Sequence, residues 1–462
     1  MKKLIGNKAF YKTLLCVAIP IMIQNGITNF VGMLDNIMVG QVGTNQMSGV
    51  AIINQMMVVF NVTICGDVSG AGIFSAQYFG CKDYEGVRNS FRYKMMVGFG
   101  VLVVSIFLFG FKGQSLIQLY LHDVGNSEAV AATLQYAWED LLIMLIGLVP
   151  FTIEQVYSST LRETSETVLP MKAGIAAVFV NLVLNYILIF GKLGCPALGV
   201  NGAAIATVIS RYVQMVIVVV WTHKHLVGEK TRPELFMTDV YKNFKVPGYL
   251  FGRITAKALP LLLNEFLWAL GMATLMQCYS VRGLDVVAGM NISNTIMNVF
   301  NVVYIALGSA ISIILGQLLG AGKLEQAKED SVRLIFFSVT SCITIAIIMM
   351  VLSSVFPEIY NTTETVKLLG KYFICVAALT MPMAACVNAT YFVLRSGGKT
   401  GITFLFDSVF VWVLMIPVAY ILSRYTHIHA VWLYFACQSL ELIKCVIGVT
   451  LVKKGVWIQN IT

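Results

Sequence analysis

The stretch Met47–Gly80, MSGVAIINQMMVVFNVTICGDVSGAGIFSAQYFG, is answered 240 residues later by Val287–Gly320, VAGMNISNTIMNVFNVVYIALGSAISIILGQLLG. Both are apolar runs long enough to cross a hydrocarbon core of about 30 Å as helix. In one register Gly49 meets Gly289, Asn54 meets Asn294, and Val59-Phe60-Asn61-Val62 meets Val299-Phe300-Asn301-Val302. Gln77 meets Gln317 and Gly80 meets Gly320. The match extends without a gap from Pro20/Pro260 through Gly43/Gly283 to Glu85/Glu325, and is looser later, where Leu161-Arg162 answers Leu394-Arg395. Chance supplies apolar identities in such runs. It is a poor account of asparagines, glycines, a proline and a glutamine in one register, so the chain reads as a doubled unit.

The composition agrees with a membrane reading. Of 462 residues, 58% are hydrophobic and 12% charged, about half the charge of an ordinary soluble domain. A soluble enzyme, a disordered scaffold and a one-span ectodomain are excluded. Twelve spans fit, near 13–38, 47–79, 93–112, 132–160, 168–190, 200–222, 256–280, 287–320, 331–354, 368–394, 401–423 and 430–451. The expected fold class is an all-α integral membrane protein of two pseudo-symmetric six-helix bundles. One lobe is 1–222, the other 256–462, and 223–255 is a cytoplasmic linker containing Gly228-Glu229-Lys230-Thr231-Arg232-Pro233-Glu234. Six spans per half is even, so the halves share an orientation about an axis along the membrane normal. Residues 13–38 carry Gln24, Asn25 and Asn29 and no small-residue cleavage site, so they read as a first span rather than a signal peptide.

The charge is +9. The Lys and Arg residues cluster in links on the side of the termini, twenty-four of them against six (Lys112, Lys192, Arg282, Lys367, Lys371, Arg424) on the other side. The positive-inside rule places both termini in the cytoplasm, in the cell membrane, and makes lipid headgroups rather than nucleic acid the partner. The ten cysteines show no CxxC spacing, and most lie inside apolar runs, where a thiol acts as a small hydrophobe. No disulfide framework, zinc site or His cluster is expected.

Polar residues inside spans carry the functional reading, because hydrocarbon penalises unsatisfied polar groups. Asn291, Asn294, Asn298 and Asn301 share a helical face, as do Asn54 and Asn61. Asn25, Asn29, Gly32 and Asn36 form a stripe with Asp35 at its edge, and Glu265, Trp268 and Met272 align on the seventh span. A lone Asn is ordinarily an interhelical hydrogen bond, whereas mirrored stripes favour a hydrated substrate cavity. Asp35 and Glu265 are the leading carboxylates. Each can hold a proton or an organic cation, and competition between the two is a coupling mechanism. Asp67, Glu154, Asp407 and Glu441 are secondary candidates, and Glu139-Asp140 is expected to be solvated at a span end. Trp268, Phe30, Phe60, Phe300, Met56, Met57 and Met297 could form an adaptable surface, although packing is the commoner role of each. Among basic residues Arg211 is read as the exception inside the stripes.

Met33-Leu34-Asp35-Asn36-Ile37-Met38-Val39-Gly40 resembles the first-span motif of multidrug and toxic compound extrusion (MATE) transporters. Gln77-Tyr78-Phe79-Gly80-Cys81-Lys82-Asp83 resembles the link after their second span. Asn181 to Gly191 followed by Gly199 to Thr207 is similar to their fifth and sixth spans, and Leu259-Pro260 to Gly271 to their seventh. The resemblance covers essentially the whole chain. It implies a V-shaped antiporter exporting cationic or amphiphilic compounds, with coupling by protons favoured over sodium, no other cofactor, and a monomer in the bilayer. Asp35 matches the family's first-span cation-site Asp and Asn181 its fifth-span Asn. Asn185 stands where some members carry a second Asp, and Glu265 lies on the acidic seventh span. The tenth-span Asp of sodium-coupled members has no counterpart in 368–394. Two alternatives remain open. A lipid-linked oligosaccharide flippase would show a basic cavity, and a membrane-embedded transferase would show clustered His, Asp or Glu at a membrane face.

Overall fold

In the computed structural model, residues 5–121, 127–228, 236–360 and 362–462 are described. His122, residues 229–235 of the expected linker and the side chain of Asn36 lie outside the described residues. The described chain is helical throughout and contains no strand. Its helices are α1 (Lys8–Gly40), α2 (Thr44–Gly80), α3 (Tyr84–Gln118), α4 (Ser127–Glu163), α5 (Val168–Phe190) and α6 (Gly199–Leu226). They continue with α7 (Gly248–Ser280), α8 (Leu284–Gly320), α9 (Leu324–Leu352) and α10 (Glu364–Ser396). The last two are α11 (Thr400–Tyr425) and α12 (Ala430–Lys453). All twelve contain stretches long and apolar enough to cross a membrane, so this is a multi-pass membrane protein. Each expected span falls on one helix. Several helices run further than the apolar window, as in α3, which starts at Tyr84, because helical backbone continues where headgroups and water replace hydrocarbon.

Local chemistry sets the ends. The Asp83 carboxylate caps α3 by accepting from Gly86 N at 3.0 Å, and Thr363 Oγ1 caps α10 by accepting from Val366 N. Both are side-chain acceptors for otherwise orphaned first-turn donors. After α5, Gly191 takes a left-handed conformation (φ 63°) that closes the helix at no steric cost. In α11 two π-type stretches, Leu405–Val409 and Val411–Met415, interrupt the α-helical ladder.

The chain divides into two compact units. One comprises residues 23–75 and 83–258, the other 1–22, 76–82 and 259–462. In the second unit Leu14, Val17, Ala18 and Ile21 of α1 pack with Ala306, Ala310 and Ile311 of α8 and Ala389 and Val393 of α10. The repeat is written into its backbone. A Cβ on Gly80 would land on the Gln317 carbonyl, and a Cβ on Gly320 would land on the Gln77 carbonyl. Repeat-related glycines thus admit each other's helix ends, and the contact is reciprocal. The residues after the crossing, Lys82 and Gly322, are repeat mates, and both are left-handed (φ 62° and 72°). The Gln77 side chain is fully buried and ties down the C-terminal tail. Its Nε2 donates to Ser396 O (3.0 Å) and Gln459 O (3.3 Å), and its Oε1 accepts from Ile461 N (2.9 Å).

Gly80→Ala and Gly320→Ala are each expected to destabilise the protein by about 1–3 kcal/mol, the usual cost of overpacking. Gly100→Ala, where nothing stands near the new methyl, should be neutral or slightly stabilising. Thermal melts in detergent compare the three, and equal melting temperatures for all would contradict the close crossing.

Candidate functional site

Two polar clusters form, one inside each unit. The first is assembled by α1, α5 and α6. Gly174 of α5 lets Gln24 of α1 lie against it, with Gln24 Cγ 3.4 Å from where a Cβ would stand. Eleven residues further along both helices, about three turns, Asp35 meets Asn185, so the two helices run in the same direction. Asn185 Nδ2 donates to Asp35 Oδ1 at 2.6 Å and to Asn181 Oδ1 at 3.1 Å. Asn181 and Asn185 are four residues apart and share a face. Gly202 brings α6 onto α5, since a Cβ there would stand 2.7 Å from the Leu188 carbonyl. That approach carries Thr207 to Asn181, whose Nδ2 donates to Thr207 Oγ1 at 3.4 Å. The amide oxygen of Asn185 is buried and accepts no hydrogen bond. Asp35, Asn181 and Asn185 are therefore brought together, and Thr207 joins them.

The second cluster joins α7, α10, α11 and α12. Asn264 Nδ2 donates to Asp407 Oδ2 at 3.1 Å, and Asn264 Oδ1 accepts from Ser408 Oγ at 2.7 Å. Lys444 Nζ lies 3.0 Å from Asp407 Oδ1 and 3.5 Å from Glu441 Oε1, with its side chain 3% exposed. Its ammonium stands over the Phe406 and Phe410 rings at 5.7 and 5.5 Å. Glu265, half-buried beside Asn264, feels the charges of Arg395 and Asp407. Asp407 sits in the first π-type stretch, a helix form frequent where a side chain has a special task.

Several expectations change here. Arg211 is not the exceptional basic group, since Lys444 is buried in α12. Lys94, counted from sequence as a link residue, is also buried, in α3. Its Nζ bonds Glu163 Oε2 at 2.5 Å and the hydroxyls of Ser159 and Thr160 at 3.2 Å. Asp140 is buried rather than solvated, whereas Glu139 accepts from Asn201 Nδ2 at 2.9 Å. Met56, Met57 and Phe60 are core residues. Glu154 is fully engaged by Ser158, Gln155 and Gln214. Asp67 is buried, and neither carboxylate oxygen accepts a hydrogen bond. The stripe residues divide. Asn29, Asn54, Asn291, Asn294, Asn298 and Trp268 are exposed on their units, and Asn25 and Asn61 are half-buried.

A family model described as MatE matches residues 20–187 and 260–421. Over 417 residues the chain is 24% identical to a probable multidrug resistance protein NorM of Thermotoga maritima, covering 90% of this chain and 86% of that protein. It is 27% identical over 428 residues to the multidrug resistance protein MdtK of Yersinia pseudotuberculosis, covering 89% and 87%. In three dimensions it is similar to the outward-facing conformation of a multidrug resistance MATE family transporter of the MOP superfamily. The TM-score is 0.85 at 17% identity, with 98% of this chain and 97% of the other covered, which establishes the shared fold.

Lys444→Met removes a buried cation that pairs with two half-buried carboxylates. It should cost about 3–5 kcal/mol, the penalty for removing one partner of a buried ion pair, and Lys444→Met/Asp407→Asn should recover much of the loss. Thermal unfolding in detergent reads both variants, and a single variant as stable as the parent would show that the pairs contribute nothing.

Proposed function

We propose an export function on one established premise: the chain belongs to the MatE family. The reading is a secondary antiporter that moves cationic or amphiphilic organic molecules out of the cell in exchange for protons, by alternating access. The observation that carries it is the cluster of Asp35, Asn181, Asn185 and Thr207. It offers one carboxylate, flanked by two amides and a hydroxyl, with an amide oxygen left unused at its centre.

That arrangement suits a group that must be stable in two charge states. As a carboxylate, Asp35 accepts the Asn185 amide hydrogen. A proton turns Asp35 into a donor, and a half-turn of the Asn185 amide presents Oδ1 as the acceptor. The cluster can thus offer Asp35 a partner in either form, and the swap changes what α1 holds on α5. An ion or substrate moves a conformational equilibrium only through its differential affinity for the two states. A site whose hydrogen-bond sense reverses on protonation supplies such a difference. The exposed Asn stripes support a wet face for solutes, since exposed amides on spans are costly against hydrocarbon. The relatives' names as multidrug resistance proteins support the substrate class. A flippase reading is disfavoured because Lys94 and Lys444 are paired with acids and Arg211 has Glu154 nearby, leaving these groups engaged rather than free for pyrophosphate.

Asp35→Asn is expected to abolish ethidium efflux driven by a pH gradient in proteoliposomes while leaving the thermal melt near that of the parent. Undiminished efflux by this variant refutes the assignment. Efflux from the parent under a sodium gradient alone, with none under a pH gradient, replaces the proton with sodium at the same cluster.

A further inference from the structure

We propose that Cys386 of α10 and Cys445 of α12 are a redox-active dithiol, whose oxidation by a peroxide cross-links the two helices reversibly and slows transport. The two thiols interact side chain to side chain, and Cys445 Sγ donates to Met383 O at 3.3 Å. Cys445 is buried with Tyr391 and Phe406, and Cys386 packs against that group. The helices are close enough for a covalent bond at this level. One turn along, a Cβ on Gly448 would stand 2.9 Å from Thr390 Cβ. Cys386 precedes Thr390 by four residues and Cys445 precedes Gly448 by three, so both cysteines lie on the faces that meet there. A disulfide needs Cβ atoms about 3.5–4.5 Å apart, and the close approach of α10 and α12 one turn away favours that spacing. Cys386 is half-buried rather than sealed, and a peroxide is small and uncharged enough to reach it.

The reaction balances with hydrogen peroxide as the two-electron oxidant. Cys386 loses its proton as its sulfur attacks one peroxide oxygen; the O–O bond breaks, and the departing hydroxide takes that proton as one water, leaving a sulfenic acid. Cys445 loses its proton as its sulfur attacks the Cys386 sulfur; the S–O bond breaks, and the displaced hydroxide takes that proton as the second water, leaving an S–S bond. Two thiols are oxidised and one peroxide is reduced to two waters. A dithiol reductant reverses the step. The consequence for transport follows from position, since Cys445 adjoins Lys444. A disulfide would fix α12 on α10 and hold Lys444 at Asp407, so the second polar cluster could not rearrange.

The full-length protein in nanodiscs is treated with hydrogen peroxide, alkylated, digested and analysed by mass spectrometry without reductant. The expected result is a peptide pair joined through Cys386 and Cys445, abolished by dithiothreitol and absent in Cys386→Ser and in Cys445→Ser. In proteoliposomes, peroxide should slow ethidium efflux by the parent several-fold, with recovery on reduction, and should leave the two Ser variants unaffected. Independent alkylation of both cysteines after peroxide overturns the pairing. A cross-link that leaves efflux unchanged overturns its control of transport. The mass readout needs no transport, so it stands apart from the export reading, whose own failure would appear as absent efflux before any oxidant is added.

Discussion

Hydrocarbon gives a charged side chain no solvent to turn to, so each ionic group inside this chain must find its counterpart on another helix. That requirement organises both units. Lys94 on α3 is held by Glu163 on α4, and Lys444 on α12 reaches Asp407 on α11 and Glu441 one turn earlier on its own helix. Asp35 on α1 is met by an amide on α5 rather than by a cation. The pairs clamp helices together, and their cost in desolvation is offset only because hydroxyls and amides complete each shell. Asp67 departs from the pattern, buried near Lys94 with neither oxygen hydrogen-bonded.

Within that frame the doubled sequence has a direct structural trace. The crossing at Gly80 and Gly320 is symmetric in residue identity and in what each glycine avoids. The two halves have also diverged around it. Gln77 is committed to the C-terminal tail. Position 82 holds a left-handed lysine where position 322 holds a glycine. A left-handed conformation disfavours residues with a Cβ, so the first half retains the geometry at a small energetic cost that the second avoids.

Much of this could be read from residue order, and the limits have physical causes. Spans are legible because apolar length is a property of one segment. Asp35, Asn181 and Asn185 are legible because a polar group in a span is conspicuous, and the resemblance to known motifs singled them out. Thr207 carries no such signal, since a hydroxyl is satisfied by its own helix in most spans. Lys444 was passed over because charge counting sets in-span residues aside, and its partner lies thirty-seven residues away on a different helix. Lys94 stands at the very edge of the apolar window, so charge counting groups it with the preceding link, whereas the helix already begins at Tyr84. Met56, Met57 and Phe60 show the complementary limit. Periodicity assigns a face, but whether that face meets solute or another helix depends on packing between distant segments.

The two π-type stretches of α11 give the second unit a mechanical property. Each accommodates one residue more than an α-turn would, so relaxing either to α geometry would swing the rest of the helix by about 100° and lengthen it by about 1.5 Å. Asp407 sits in the first of them, at the junction where such a twist would act. The segment of helix that carries this carboxylate is therefore wound like a sprung screw, and a change in its pitch would turn the anion away from its lysine.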